Sequence, residues 1–325
     1  MENRIISDNC FAQFMAEMAE PYLARRRMEF RIPRDGGASL YCVRYEADGA
    51  RGAVLLSHGF TETAEKYLEV AYYMVKRGYH VYQPEHCGHG RSYRLVDDLS
   101  LVHVDRYERY VQDLLAVADI AKREHPELPL FLYGHSMGGG IAAAALAERP
   151  DLFRRAVLSS PMIRPLTAGI PWPVAKLMAN ILCRAGKSEQ YVPGGRPFDG
   201  SERFEDSAST SRERFDYYQK KRNAEPLYQM NAASCGWLRE AGRLNRDLMQ
   251  RGWKRIRTPA LLFQAQSDAF VSAKAQDRFA ERVAQAGNAV IEIVPVAETR
   301  HEIYGSEDRI LKDYWNRIFA FWAEE

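Results

Sequence analysis

The chain has 325 residues and no run approaching the roughly 20 consecutive apolar residues of a membrane-spanning helix. Its first residues, Met1 to Asp8, hold no apolar signal core. Cysteine is scarce and unpaired in pattern: five residues, at 10, 42, 87, 183 and 235, with no C-x-x-C spacing. An odd, scattered set fits free thiols in a reducing compartment better than a disulfide framework. Neither charge is in surplus. The 45 basic and 43 acidic residues leave a net charge of +2, which removes the electrostatic case for nucleic-acid binding. There is no internal repeat and no low-complexity tract. These absences predict a soluble cytoplasmic protein, with peripheral contact on the inner membrane face as the limit of its lipid association.

What is present is core-forming material. The 46% hydrophobic content suffices for one large α/β domain with insertions. Residues 10–22 space Phe11, Phe14, Met15, Met18 and Tyr22 as an amphipathic helix. Strands are predicted at Leu40 to Glu46, Ala53 to Ser57, Tyr79 to Gln83, Leu130 to Tyr133, Ala156 to Ser159, 260–265 and 289–294. Helices are predicted at 65–77, 106–123, after residue 136, near 272–285 and after Ser306, which is expected to cap the last one. Short apolar strands alternating with amphipathic helices predict a mainly parallel sheet flanked by helices. The rhythm breaks after a mid-sheet strand, in a proline-rich stretch with a Gly/Ser/Asp-rich loop at 194–211. The division expected is a core of 1–160 and 241–325, with 161–240 inserted as a helical cap above the carboxyl ends of the strands.

The most informative stretch is Gly134-His135-Ser136-Met137-Gly138, a G-x-S-x-G between an apolar strand and an alanine-rich helix. A serine on that turn is forced out of the sheet edge, where its hydroxyl can attack a carbonyl. It needs a base, and the base needs an orienting acid. With this elbow the partners follow in the order Ser, Asp, His. Asp268 directly follows the strand 260–265. His301 precedes the final helix and is the only histidine after position 135. Asp277 is the nearest rival acid, but it falls inside a helix. Ser136 is therefore read as nucleophile, His301 as base and then acid, and Asp268 as the orienting carboxylate. The oxyanion donors expected are the backbone N–H groups of Met137 and Phe60, the latter in the turn Ser57-His58-Gly59-Phe60. Haloalkane dehalogenase and epoxide hydrolase chemistry, which requires an aspartate at the nucleophile position, is disfavoured by Ser136.

Other features have plainer readings beside them. Glu85, His86, Cys87 and His89 are too tightly spaced for a usual zinc set, so the loop reads as a turn, with no metal and no cofactor. Tyr107 and Tyr110 read as core. The stripe of 10–22 has two fates, docking on its own domain or lying on a membrane surface. Residues 170–182, the most apolar part of the cap, have three: an acyl tunnel, bilayer contact, or packing within the cap. Cys87 and Cys235 are candidate pocket thiols.

The chain resembles the monoacylglycerol lipase and lysophospholipase branch of the α/β-hydrolases. The likeness is carried by Ser57 to Phe60, Glu85 to Ser92 and Gly134 to Gly139. More specific to the branch are Arg94-Leu95, His103-Val104, Arg106-Tyr107, Tyr110-Val111, Asp113-Leu114, Cys235 to Glu240 and His301-Glu302-Ile303. It spans roughly residues 28 to 322 and is weakest at 161–210. The resemblance implies an α/β-hydrolase fold and hydrolysis of a lipid ester with one acyl chain, through an acyl-enzyme. The same triad also serves general esterases, thioesterases, acyltransferases and proline-cleaving serine peptidases. A non-catalytic binding protein on this scaffold is disfavoured by the complete Ser, Asp, His order.

Overall fold

A computed structural model of the chain describes residues 5–324, so the reading of Met1 to Arg4 lies outside the described residues. The strands, in chain order, are β1 (Arg27–Pro33), β2 (Ser39–Tyr45), β3 (Gly52–Ser57), β4 (Tyr79–Pro84), β5 (Leu101–Val102), β6 (Leu130–His135), β7 (Arg155–Ser159), β8 (Ala232–Ala233), β9 (Ala260–Ala265) and β10 (Ile291–Val296). Eight of them form one sheet in the order β1-β2-β4-β3-β6-β7-β9-β10, while β5 and β8 make a separate two-residue parallel ladder. Pairing is parallel from β4 to β10; only β2 runs against its neighbours. The helices are α1 (Phe11–Phe14), α2 (Glu20–Ala24), α3 (Leu68–Lys76), α4 (Glu108–Glu124), α5 (Met137–Glu148), α6 (Trp172–Arg184), α7 (Arg212–Ala224), α8 (Cys235–Gln250), α9 (Ala273–Gln285) and α10 (Asp308–Ala323).

Strands β3, β4 and β6 are buried at every position, as strands covered on both faces must be. Alternation then sorts their side chains into two cores. Leu55 and Leu132 join Ile141, Leu158 and Phe279 on one face. Val54, Leu56 and Tyr133 join Met74, Phe263 and Trp315 on the other.

Three details depart from the sequence reading. Strand β1 was not anticipated, although Met28, Phe30 and Ile32 alternate with charged residues; it lies at the sheet edge, where Pro33 is tolerated. Ser306 does not cap the last helix. α10 starts at Asp308 after Glu307, and the buried Ser306 hydroxyl has no hydrogen-bond partner. Helix α8 runs from 235 to 250, through the expected boundary at 240.

The N-terminal stripe turns inward. Phe11, Met15, Ala19 and Leu23 are buried along α1, a π-helical turn (Met15–Ala19) and α2. Phe11 meets the Tyr217 ring edge-on at 5.5 Å, and Phe14 meets Tyr72 at 5.9 Å. Met18 alone of the stripe is strongly exposed. Polar contacts add to this docking: Arg214 of α7 is buried among Asp8, Glu69 and Asp308, and Lys221 pairs with Glu20.

Candidate active site

Ser136 stands between β6 and α5 with φ 53° and ψ −120°, a conformation that costs a side-chain-bearing residue of order 1–3 kcal/mol. Backbone bonds hold it there. Its N–H donates to Ser159 O at 3.0 Å, and its carbonyl accepts from Met162 N–H at 2.7 Å. The turn closes only because its flanks are glycine. A Cβ on Gly134 would lie 2.7 Å from Gly138 O, and one on Gly138 would lie 2.2 Å from Ser57 O.

The three side chains named from sequence order meet in one line. Ser136 Oγ is 2.7 Å from His301 Nε2, and His301 Nδ1 is 2.7 Å from Asp268 Oδ2. The other Asp268 oxygen accepts the N–H groups of Phe270 (2.8 Å) and Val271 (3.0 Å). Burial alone would raise the Asp268 carboxyl, but the His301 contact and these amides outweigh it and hold it below the usual carboxylate range. Because Asp268 accepts at Nδ1, the imidazole proton sits there and Nε2 is left to accept from the serine. Such a relay can take the serine proton as the hydroxyl attacks a carbonyl. The acid and base loops are tied together by Ser267 N–H donating to Thr299 O at 3.0 Å. Asp277 lies in α9, where its carboxylate accepts from Gln264 at 2.7 Å.

The loop after β3 is fixed by a histidine. His58 is buried; its Nδ1–H donates to Gly59 O at 2.8 Å, and its Nε2 accepts His86 N–H at 2.8 Å. Burial pushes this imidazole down to about 4, so it stays neutral. The carbonyl of Gly59 and the N–H of Phe60 belong to one planar trans peptide and point in opposite directions. Holding the carbonyl at His58 therefore aims the Phe60 N–H away from it. Met137 opens α5, and N–H groups in a first helical turn have no intrahelical acceptor.

Glu62 was missed by sequence reasoning. Its carboxylate accepts Gly59 N–H (2.5 Å), Tyr67 OH (2.5 Å) and Tyr304 OH (2.7 Å), and it lies 3.2 Å from Lys66 Nζ. Burial would raise it, but Lys66, His135 and the tyrosines dominate and hold it well below the usual range. Lys66 also pairs with Glu302, the residue after His301. Two carboxylates thus share one ammonium beside the Ser136–His301 pair. The i,i+4 spacing of Glu62 and Lys66 was the available signal. His135 is buried 4.9 Å from the His301 ring, centroid to centroid, and burial pushes it down to about 3.

A cavity of about 500 Å³ opens on Ser136 and His301. Phe60, Met162, Trp237, Phe270 and Leu166 supply its apolar wall, and Tyr218, Arg222 and Glu202 its polar part. Residues between β7 and β9 therefore form much of the wall. Six carboxylates line it (Glu62, Glu65, Glu69, Glu202, Asp206 and Glu302), and each has a lysine or arginine partner.

Other candidates lie elsewhere. Cys87 and Cys235 are buried and absent from the cavity wall; burial pushes the Cys87 thiol up to about 12. No residue of 170–182 lines the cavity, so this stretch forms no tunnel there. In the 85–89 loop, Glu85 accepts Ala64 N–H and Arg91 N–H, while His86 Nε2 meets Ser57 Oγ at 2.9 Å. Tyr107 OH donates to Asp247, and Tyr110 is core.

The hydrolase family described as serine aminopeptidase, S33 matches residues 48–308. The chain is 27% identical over 326 residues to lysophospholipase L2 of Escherichia coli K12, covering 95% of this chain and 93% of that one. It is 40% identical over 113 residues to a monoacylglycerol lipase of Mycolicibacterium smegmatis, covering 35% and 39% of the two chains. Among solved structures, a soluble variant of monoglyceride lipase from Saccharomyces cerevisiae superposes with a TM-score of 0.70 at 18% identity, over 90% of this chain and 93% of that one. That structural likeness shows the fold.

Proposed function

The chain belongs to the serine aminopeptidase S33 family of α/β-hydrolases, and from that premise we propose that it hydrolyses carboxylic esters of lipids with a single acyl chain, with Ser136 as nucleophile. The observation that carries the reading is the unbroken line Ser136–His301–Asp268, opening on a cavity of about 500 Å³. His301 Nε2 takes the serine proton while Oγ attacks the ester carbonyl. The oxyanion is held by the N–H groups of Phe60 and Met137, the second at the positive end of α5. His301 then protonates the leaving alcohol, and an acyl-Ser136 ester remains. Water enters, gives its proton to His301, and releases the fatty acid. No cofactor enters this scheme.

The lipid reading draws on the lysophospholipase and monoacylglycerol lipase names of the relatives, and on the apolar wall beside Ser136. The residues from 161 to 240, continuing into α8, are proposed as the cap that encloses the acyl chain. The family's description favours an aminopeptidase as the second reading. That activity needs a carboxylate free to hold a substrate ammonium, and every carboxylate of the cavity wall is already ion-paired.

A fluorophosphonate probe tests the nucleophile: wild type is expected to label and Ser136→Ala to stay blank. A panel of a lysophospholipid, a monoacylglycerol, a short aryl ester and a prolyl peptide tests the substrate. Preference for the peptide would overturn the lipid reading.

A further inference from the structure

Between Val296, the end of β10, and Ile303 the chain has neither strand nor helix, and His301 sits in this stretch. Its course is therefore set by what it is bonded to. The acid loop holds one part: Gln266 Oε1 accepts Glu298 N–H at 2.9 Å, and Thr299 O accepts Ser267 N–H at 3.0 Å. The segment inserted between β7 and β9 holds the rest. Arg300 Nη1 donates to Phe204 O (2.7 Å), Ser209 O (3.2 Å) and Ser207 O (3.3 Å). Glu302 N–H donates to Ala208 O at 2.9 Å, and Ser211 N–H donates to Gly305 O at 3.1 Å. His301 thus has an anchor to the inserted segment on each side, at 300 and at 302.

The Arg300 guanidinium serves this seam alone. It is half-buried, it lies 5.5 Å from the centre of the Phe204 ring, and all its hydrogen bonds among the described residues go to these three carbonyls. Three acceptors from different residues are thereby gathered at one rigid, charged, planar group. Ser207, Ala208 and Ser209 line the cavity together with His301, Glu302 and Gly305, so the seam is part of the wall beside the relay. The relay depends on such support. One imidazole ring spans Ser136 Oγ and Asp268 Oδ2, each at 2.7 Å, and a misplacement of about 1 Å can cost on the order of 100-fold in rate.

We propose that Arg300 is a positioning residue for the base: it clamps residues 204–209 to the loop of His301, so that the inserted segment holds the imidazole in line with Ser136. The catalytic part of this role rests on the reading of His301 as base; the clamp does not. Turnover of a water-soluble ester and the low-field NMR signal of the proton between His301 Nδ1 and Asp268 test it together. In Arg300→Met, kcat is expected to fall about 10- to 100-fold, with KM within about twofold of wild type. The Nδ1–H signal should weaken as the loosened bond lets its proton exchange with water. In Arg300→Ala, millimolar methylguanidinium should restore part of kcat, and methylammonium, which lacks the planar fork, should not. Arg300→Lys should lie between wild type and Arg300→Met. Arg309→Met, which removes an exposed guanidinium from α10, is the control and should leave kcat unchanged. A kcat in Arg300→Met within about twofold of wild type would overturn the proposal. So would a rise in KM at unchanged kcat, which would make 204–209 a substrate wall only. A fall in kcat with an unaltered Nδ1–H signal would mean that the base has not moved, and would overturn it too. If Arg300→Met does not fold, Arg300→Lys carries the comparison: a lower kcat with a weakened signal supports the clamp, and wild-type values overturn it. Ester hydrolysis that survives His301→Ala would strike the functional reading and leave the dependence of the signal on Arg300 standing.

Discussion

Removing one oxygen atom from Ser136 removes the proposed nucleophile and leaves the cavity intact. Ser136→Ala is expected to lower kcat by at least about 10⁴-fold with substrate binding retained, measured by turnover and by equilibrium binding of an uncleaved analogue. Asp268→Asn keeps the shape but reverses the hydrogen-bond demand on Nδ1, which favours the wrong imidazole tautomer. A loss of about 10³- to 10⁴-fold in kcat is expected; a loss under tenfold would remove Asp268 from the relay. Glu302→Gln acts through Lys66 and not on the substrate. It leaves Glu62 as the only strong partner of that ammonium, so a stability loss of about 2 kcal/mol or more is expected in urea unfolding. The candidate triad was legible at this scale because elbow chemistry and chain order are local and sequential signals. Glu62 was not. Its importance comes from Gly59, Tyr67, Lys66 and Tyr304 converging on it, and the last lies 242 residues away.

At the scale of elements, the packing of α5 against the loop after β3 is the tightest constraint near the site. Gly138→Ala would place a methyl 2.2 Å from Ser57 O and 2.3 Å from His58 O, both backbone atoms. We expect failure to fold, or a stability loss above about 3 kcal/mol with loss of probe labelling, because neither strand nor helix can retreat alone. Most of the sheet was legible because fully buried strands read as short apolar runs between turns. Strand β1 was harder: at the sheet edge its burial does not alternate, with Met28 exposed and Arg27 half-buried against Glu65, so no clean apolar signal marks it. The Ser306 cap failed for a different reason. A serine before two acids fits a helix start, but the chain turns extended at both Ser306 and Glu307, and Asp308 serves the Asp8 N–H and Arg214 instead. The fate of the N-terminal stripe was undecided from sequence because docking and membrane binding demand the same periodicity; Tyr72 and Tyr217, distant in sequence, settle the packing.

Across the whole molecule, buried histidines set the acid limit of stability. His58 and His135 are pushed down to about 4 and about 3 by burial, and His86 and His89 are pushed down as well. In the unfolded chain each titrates near 6.5. Below that pH the unfolded state binds protons that the folded state refuses, so folding free energy falls as pH falls. Each histidine contributes up to about 1.4 kcal/mol per pH unit between about 6.5 and its folded value. Asp268 and Glu62, held below their ordinary range, add to the loss only at lower pH, from about 4 downward. Urea unfolding at a series of pH values should therefore show stability already falling between pH 6 and 5. A flat profile there would mean that these imidazoles take up protons in the folded protein.

The shared ammonium of Lys66 has a consequence for the end of the catalytic cycle. Hydrolysis turns a neutral ester into a carboxylate, and that new anion would be released from a wall that carries six carboxylates against the three cations Lys66, Arg214 and Arg222. Repulsion would act on the product and not on the ester that preceded it. The site would then clear itself by electrostatics, and fatty acid should be a poor inhibitor that improves as salt screens the repulsion. Tight inhibition by fatty acid at low ionic strength would show that the acyl wall outweighs this charge.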